Sequence, residues 1–330
     1  MAFGRPPISD LSLQSQYEAV SLNLGRYGPC TKGIFVVKSR RDGKKIIQKS
    51  MAPHYIASGK AESELSILRE LQHKNVVEYI DAFIVDQDGN FDGSLYMEYC
   101  EHGNLQDYLD TRMGIQDAWI GELAIWGLLK QLVNAVAYLQ YGIHDAVSAT
   151  SPITGVAPGW RGVAHCDIRP WNIFLRSRGD GNNESFPDVV LGDFGFAQRA
   201  DDNTTLNLGA TEEDNHWRAF KLRSLNIGSA LDGWSIGAII QTSCRLGTLE
   251  PAWFSMACLS PIWGVGGVGL RYSQKLDEVV GALMFDVLQG LTQIRDIAPK
   301  IQLYSQQASR GQLTARMHPK THGTISGELE

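Results

Sequence analysis

His165-Cys166-Asp167-Ile168-Arg169-Pro170-Trp171-Asn172, answered downstream by Asp193-Phe194-Gly195, is the stretch that decides the reading of this chain. A carboxylate such as Asp167 accepts the proton of an attacking hydroxyl. An amide oxygen and a second carboxylate, Asn172 and Asp193, are hard oxygen donors of the kind that hold magnesium beside phosphate. These residue types suit phosphoryl transfer, which asks a protein for positioning and charge rather than for covalent chemistry. Alone, each piece has a plainer reading, since an Asp-Pro-Asn loop is usually a turn and Asp-Phe-Gly occurs by chance. Together and in this order they point to one chemistry.

The spacing Asp-x-x-x-x-Asn followed by Asp-Phe-Gly resembles the catalytic and metal-binding loops of the eukaryotic protein kinases. The resemblance covers roughly residues 17 to 300 and is densest at 64–75, 95–105, 165–172 and 191–197. It implies an α+β, bilobal fold: a small β-rich lobe with one key helix, a hinge, and a mainly helical lobe. The divisions it implies are a polar leader (1–16), an N-lobe (17–97), a hinge and C-lobe (98–305), and a polar, disordered tail (306–330). The implied activity is Mg2+-dependent transfer of the γ-phosphate of ATP to a serine or threonine hydroxyl of a protein substrate. In that reading Asp167 is the base, Arg169 faces the transferred phosphate, and Asn172 and Asp193 bind the metal.

Working outward, Gly28-Pro29-Cys30-Thr31-Lys32-Gly33 precedes Ile34-Phe35-Val36-Val37, a β-branched and aromatic run that predicts a strand. It is similar to the family's glycine-rich loop, with Gly28 and Gly33 at its ends and Cys30 where the middle glycine belongs. A side chain there limits how closely backbone approaches a phosphate. Arg41-Asp42-Gly43-Lys44 reads as a hairpin turn, and Ile46-Ile47-Gln48-Lys49 as the next strand. By resemblance Lys49 contacts the phosphates. Side chains two apart share a strand face, so Ile47 lines the adenine pocket, while Phe35 is expected on its roof and Phe174 on its floor. Apolar steps at Leu65, Leu68 and Leu71 predict an amphipathic helix. It resembles the family's helix C, with Glu64 as partner of Lys49 and with Glu62 and Glu70 solvated.

Leu95-Tyr96-Met97-Glu98-Tyr99-Cys100 followed by Gly103-Asn104-Leu105 resembles the kinase hinge. Met97 is then the gatekeeper, and Glu98 to Cys100 offer backbone hydrogen bonds to adenine. A helix from Glu122 to about Gln140 carries Leu123, Trp126, Leu129, Val133, Val136 and Leu139 as a buried stripe. Residues 141–161, rich in Pro, Gly, Ser and Thr, read as a surface insertion, and 178–183 as a polar tip between two strands. Asp232-Gly233-Trp234-Ser235 resembles the helix that braces the catalytic loop, and Tyr272-Ser273 the start of a late helix. Gly264 to Gly269 imitates a nucleotide loop, but no strand precedes it.

The departures from the family pattern matter as much. Cys166 stands where an arginine normally pairs with an activation-loop phosphate, so switching by that route is not expected. Arg169 replaces a lysine, keeping the charge in a planar fork. His165 is expected to pack under Phe194. The Ala-Pro-Glu motif is missing near Arg218-Ala219-Phe220. The rival reading is a pseudokinase that serves as a binding scaffold; a small-molecule phosphotransferase is a third.

Composition fits all three. A chain of 330 residues with 43% hydrophobic and 20% charged residues buries a large core. No apolar run approaches the roughly 20 residues of a membrane span, and no signal peptide is evident. Five cysteines without paired spacing indicate free thiols in a reducing compartment. A net charge of −6 argues against nucleic-acid binding. The expected setting is cytoplasmic or nuclear, with ATP and a protein substrate as partners.

Overall fold

The computed structural model describes residues 16–20, 30–115, 118–149, 153–178, 186–199, 228–246, 268, 271–286 and 292–315. Five strands form one antiparallel sheet in the order β1-β2-β3-β5-β4. They are β1 (Tyr17–Ala19), β2 (Thr31–Ser39), β3 (Lys45–Met51), β4 (Tyr79–Gln87) and β5 (Asn90–Glu98). The β2–β3 hairpin turns where Gly43 takes φ 73°, a left-handed conformation that glycine adopts without steric cost. Asp42 Oδ1 accepts from Lys44 N at 3.1 Å and pins the turn. Between β3 and β4 lie a five-residue helix, α1 (Pro53–Ala57), and α2 (Lys60–Leu68).

A helical region follows, built on α3 (Leu105–Met113), α4 (Glu122–Tyr141), α5 (Gly228–Cys244), α6 (Gln274–Gly281) and α7 (Ile294–Ser309). Asn104 caps α3 by accepting from Asp107 N at 2.9 Å, and Ser273 caps α6 through Leu276 N. Each supplies an acceptor that a helix N-terminus lacks. The long α4 is nearly encircled: Trp126, Leu129, Val133, Val136 and Leu139 are buried. Leu123, expected in that stripe, is instead 57% exposed: the first turn meets its neighbours through Glu122, Ile125 and Trp126, and Leu123 faces away from them. Helix α7 runs to Ser309, past the expected start of a disordered tail at 306, and Ala315 bridges Ser273. Burial explains the difference, since Ile294, Ile297, Ala298 and Ile301 pack one face of α7 into the core. Among the described residues no helix is long and apolar enough to cross a membrane.

Between α4 and β6 (Val163–Ala164), the stretch 141–161 expected as a surface insertion is exposed at 154–156, 158–159 and 161 but pinned to α4 at both ends of its described residues. Ala146 and Val147 are fully buried, and Asn134 of α4 receives Val147 N at 2.9 Å while donating to Asp145 at 3.1 Å. Trp160 donates to Leu139 O at 3.0 Å and lies against the Tyr138 ring. Turn-rich composition gave no hint of these contacts, which are tertiary.

Candidate active site

Five short segments meet at the site. Strand β3 supplies Lys49 and α2 supplies Glu64. The turn after β6 and a single 3-10 turn (Pro170–Asn172) supply Asp167, Arg169 and Asn172. The loop after β8 (Asp188–Leu191), which pairs with β7 (Ile173–Arg176), supplies Asp193. The Lys49 ammonium lies 2.8 Å from Glu64 Oε1 and 2.8 Å from Asp193 Oδ1. Burial works against the Lys49 charge, but the two carboxylates outweigh it and hold the pKa above the lysine range. Burial likewise pushes Asp193 up, and Lys49 more than reverses this, leaving the carboxyl below its ordinary value. The Asp193 side chain remains 39% exposed, open to a ligand on one side.

Asp167 is buried and its carboxylate is aimed by neighbours. Asn172 Nδ2 donates to Asp167 Oδ2 and to Asp167 O, each at 2.9 Å. Arg169 Nε lies 3.4 Å from the same Oδ2. The loop is held from below by Asp232 at the start of α5, whose carboxylate accepts His165 N and Cys166 N, both at 2.8 Å. Burial pushes the Asp232 carboxyl up to about 7 against the pull of those two N–H donors. His165 donates Nε2–H to Gly192 O at 3.0 Å and accepts Asp167 N on Nδ1 at 3.2 Å. Its ring meets Phe194 edge-on at 4.7 Å. Burial lowers its pKa, so His165 is a neutral strut. Cys166, buried, takes φ 64°, and Asp193 takes φ 61°; such values strain non-glycine residues and cluster where function requires them.

The protein kinase domain model matches residues 21–248. The chain belongs to the protein kinase family. Among its relatives are the human serine/threonine-protein kinase Nek2, 27% identical over 83% of this chain and 56% of Nek2. The G2-specific protein kinase nimA of Emericella nidulans is 28% identical over 71% of this chain and 33% of its own length. The fission yeast (Schizosaccharomyces pombe) G2-specific protein kinase fin1 is 27% identical over 64% and 28%. The chain thus spans about half the length of Nek2 and a third or less of the other two. The bilobal α+β kinase fold is what the sheet and helices above form.

Protein kinases generally use ATP and Mg2+, and the residues here fit both. Asn172 turns both amide hydrogens to Asp167, so its amide oxygen faces away, and Asp193 keeps an oxygen beyond the one that meets Lys49. Two hard oxygen donors are what magnesium takes from a protein when phosphate and water complete its shell. Met97 lies at the end of β5 across from Ile47 of β3. The chain beyond it is tied to β7, as His102 N donates to Leu175 O at 3.0 Å and Leu175 N to Gly103 O at 2.9 Å. The Glu98 side chain is structural, accepting Arg176 at 2.6 Å and Glu78 N at 2.9 Å. Burial pushes the Cys100 thiol up to about 12, so it packs as a neutral group. Phe174 packs on Gly192, where an added Cβ would fall 2.7 Å from its ring. Only glycine permits that approach.

Not every residue expected to line the adenine pocket shares the face of Lys49. Phe35 pairs with Gln48, on the face opposite Lys49 and Ile47, and packs against Val37, Ile46, Phe83 and Tyr96. The β2 residues that share the face of Lys49 and Ile47 are Ile34 and Val36. The hairpin turn sets this register, which runs unbroken from Lys38 opposite Lys45 to Gly33 opposite Ser50, off the Lys49 face; a bulge between Thr31 and Gly33 shifts only the pairing beyond it. Cys30 is half-buried with the core beneath the sheet, next to Lys49, Asp193 and Glu64, and burial raises its thiol pKa. Glu70, expected in solvent, is exposed there and also pairs with Arg199 at 2.7 Å. Gly28, residues 178–183 in most of their length, the 201–227 segment and Gly264 to Gly267 lie outside the described residues. Counting from the Gly43 turn would have found Ile34, since Lys38 faces Lys45.

Proposed function

We propose that this chain transfers the γ-phosphate of ATP to a serine or threonine hydroxyl of a protein substrate, with Mg2+. The observation that carries the reading is the single cluster in which Lys49 is held by Glu64 and Asp193 while Asp167 is aimed by Asn172 and Arg169. Relatives named as serine/threonine kinases support the same activity. Bound magnesium, held by Asn172 and Asp193, would offset the negative charge of the phosphates. Lys49 presents its charge to them from the sheet side, fixed by Glu64. Asp167 accepts the proton of the attacking hydroxyl, with Asn172 keeping one carboxylate oxygen oriented. Arg169 places a guanidinium where charge develops on the transferred group. Ile34, Val36, Ile47 and Met97 form the sheet side of an adenine slot with Phe174 below, and Cys100 offers its backbone. The setting we propose is cytoplasmic or nuclear.

Radiolabelled transfer from Mg·ATP to the protein itself and to generic basic proteins tests this. Incorporation that disappears in Lys49→Met supports the reading. A parent protein that binds Mg·ATP and labels nothing would favour a pseudokinase scaffold instead.

A further inference from the structure

Glu64 is buried and Lys49 engages only one of its oxygens. A buried carboxylate with an undonated oxygen is costly and free to rotate about its last torsion. The second oxygen, Oε2, accepts the Tyr55 hydroxyl at 3.1 Å. That same hydroxyl lies 3.5 Å from Gly195 O, in the loop that carries Asp193. The ring is 2% exposed, so the hydroxyl has little freedom to leave. Its helix is anchored in turn: Tyr55 N donates to Ala52 O, Ala52 N donates to Cys30 O, and Ser58 Oγ donates to Tyr55 O.

We propose that Tyr55 is a positioning residue, whose hydroxyl locks Glu64 in the rotamer that holds Lys49 and senses where the Asp193-Phe194-Gly195 loop sits. It touches neither substrate nor metal and acts through Glu64. One hydroxyl hydrogen serves one acceptor at a time, and the shorter distance assigns it to Glu64. Gly195 O is a second acceptor within reach. Movement of the loop or outward rotation of α2 therefore changes the number of acceptors around one buried donor. The strand bearing Lys49, the helix bearing Glu64 and the metal-side loop are thereby coupled through a residue that lies between the first two in sequence. The proposal rests on the phosphoryl-transfer reading for its kinetic arm only.

Tyr55→Phe keeps the ring and removes the hydroxyl. Loss of a hydrogen bond to a charged group costs roughly 10–100-fold, and we expect about tenfold in kcat with KM for ATP within about threefold. In a Glu64→Gln background the same change should add less than about twofold, because its effect passes through the carboxylate. Ile56→Val, a buried neighbour on the same helix, controls for packing and should leave kcat within about twofold. Hydrogen exchange of the full chain supplies an arm independent of turnover: amides of 60–68 and 194–197 should lose protection in Tyr55→Phe and not in Ile56→Val. An unchanged kcat, an equal loss in both Glu64 backgrounds, or equal exchange in parent and Tyr55→Phe would overturn the proposal. A parent without transfer activity would instead refute the phosphoryl-transfer reading, and the exchange comparison would still decide the role of Tyr55.

Discussion

His73 should make this protein lose stability below neutral pH, and the size of the effect follows from its contacts. Its Nε2–H donates to His144 O at 2.8 Å, and Nδ1 accepts Asn75 N at 3.1 Å. Both ring nitrogens are committed in the neutral form. A proton added at Nδ1 would face an N–H donor. The ring is also stacked on Tyr138 at 4.9 Å and buried to 9% exposure. Burial, the largest influence, depresses its pKa to about 4, against about 6.5 for an unfolded histidine. A depressed folded pKa means that the unfolded state binds the proton first. The stability His73 contributes is then complete above the unfolded value and is lost as pH falls from about 6.5 toward 4. Linkage puts the loss at roughly 2 kcal/mol between pH 7.5 and 5. The assay is urea denaturation of parent and His73→Phe at both pH values. At pH 7.5 the variant should be less stable, since Asn75 N–H and His144 O lose their partner. At pH 5 that gap should shrink by about 2 kcal/mol. A gap that stays constant within about 0.5 kcal/mol would refute the assignment of a depressed His73.

Three further outcomes follow from the structure. Mg·ATP should raise the melting temperature, since a ligand at a hundredfold excess over its Kd stabilises by about 2.7 kcal/mol, and Asp193→Ala should remove most of that shift in a thermal scan. Because buried Cys166 cannot give a phosphate the charge-assisted bonds of an arginine, alanine at Thr204, Thr205 and Thr211 together should leave most activity; a hundredfold loss restored by acidic replacements would contradict this. Asn134→Ala should destabilise the fold by about 1–3 kcal/mol, because it strips Val147 N of its acceptor in a buried site, and denaturant midpoints at fixed pH measure it.

The parts of the fold visible in the sequence were those with local rules. The Asp-Gly turn, the start of the late helix at Tyr272-Ser273 and the apolar steps of α2 and α4 each announce themselves within a few residues. The Lys49, Glu64, Asp167, Asn172 and Asp193 group was legible because fixed spacings surround it. What stayed hidden was set by tertiary register or distant contact. Phe35 and Ile34 are equally apolar, and only the pairing across the Gly43 turn decides which meets Lys49. The 141–161 chain looks like a loop because Pro and Gly shape its backbone, yet Ala146 and Val147 fill a cavity made by other elements. Tyr55 carries no signal at all in sequence, since its meaning depends on which carboxylate and which carbonyl it reaches.

We propose that Asp167 is the base in the phosphoryl transfer and not simply a brace for its own loop. Asparagine at 167 keeps the shape and an acceptor for the Asn172 amide but cannot take a proton from a substrate. A positioned general base contributes about 10²–10⁴-fold, so the loss should fall on turnover. Asp167 has no proposed bond to the metal, and asparagine leaves an acceptor for Asn172, so the Mg·ATP melting shift should survive the change. Turnover and melting are therefore measured side by side for the parent and Asp167→Asn. The account predicts at least a hundredfold lower kcat with an undiminished melting shift; transfer by Asp167→Asn within tenfold of the parent would contradict it.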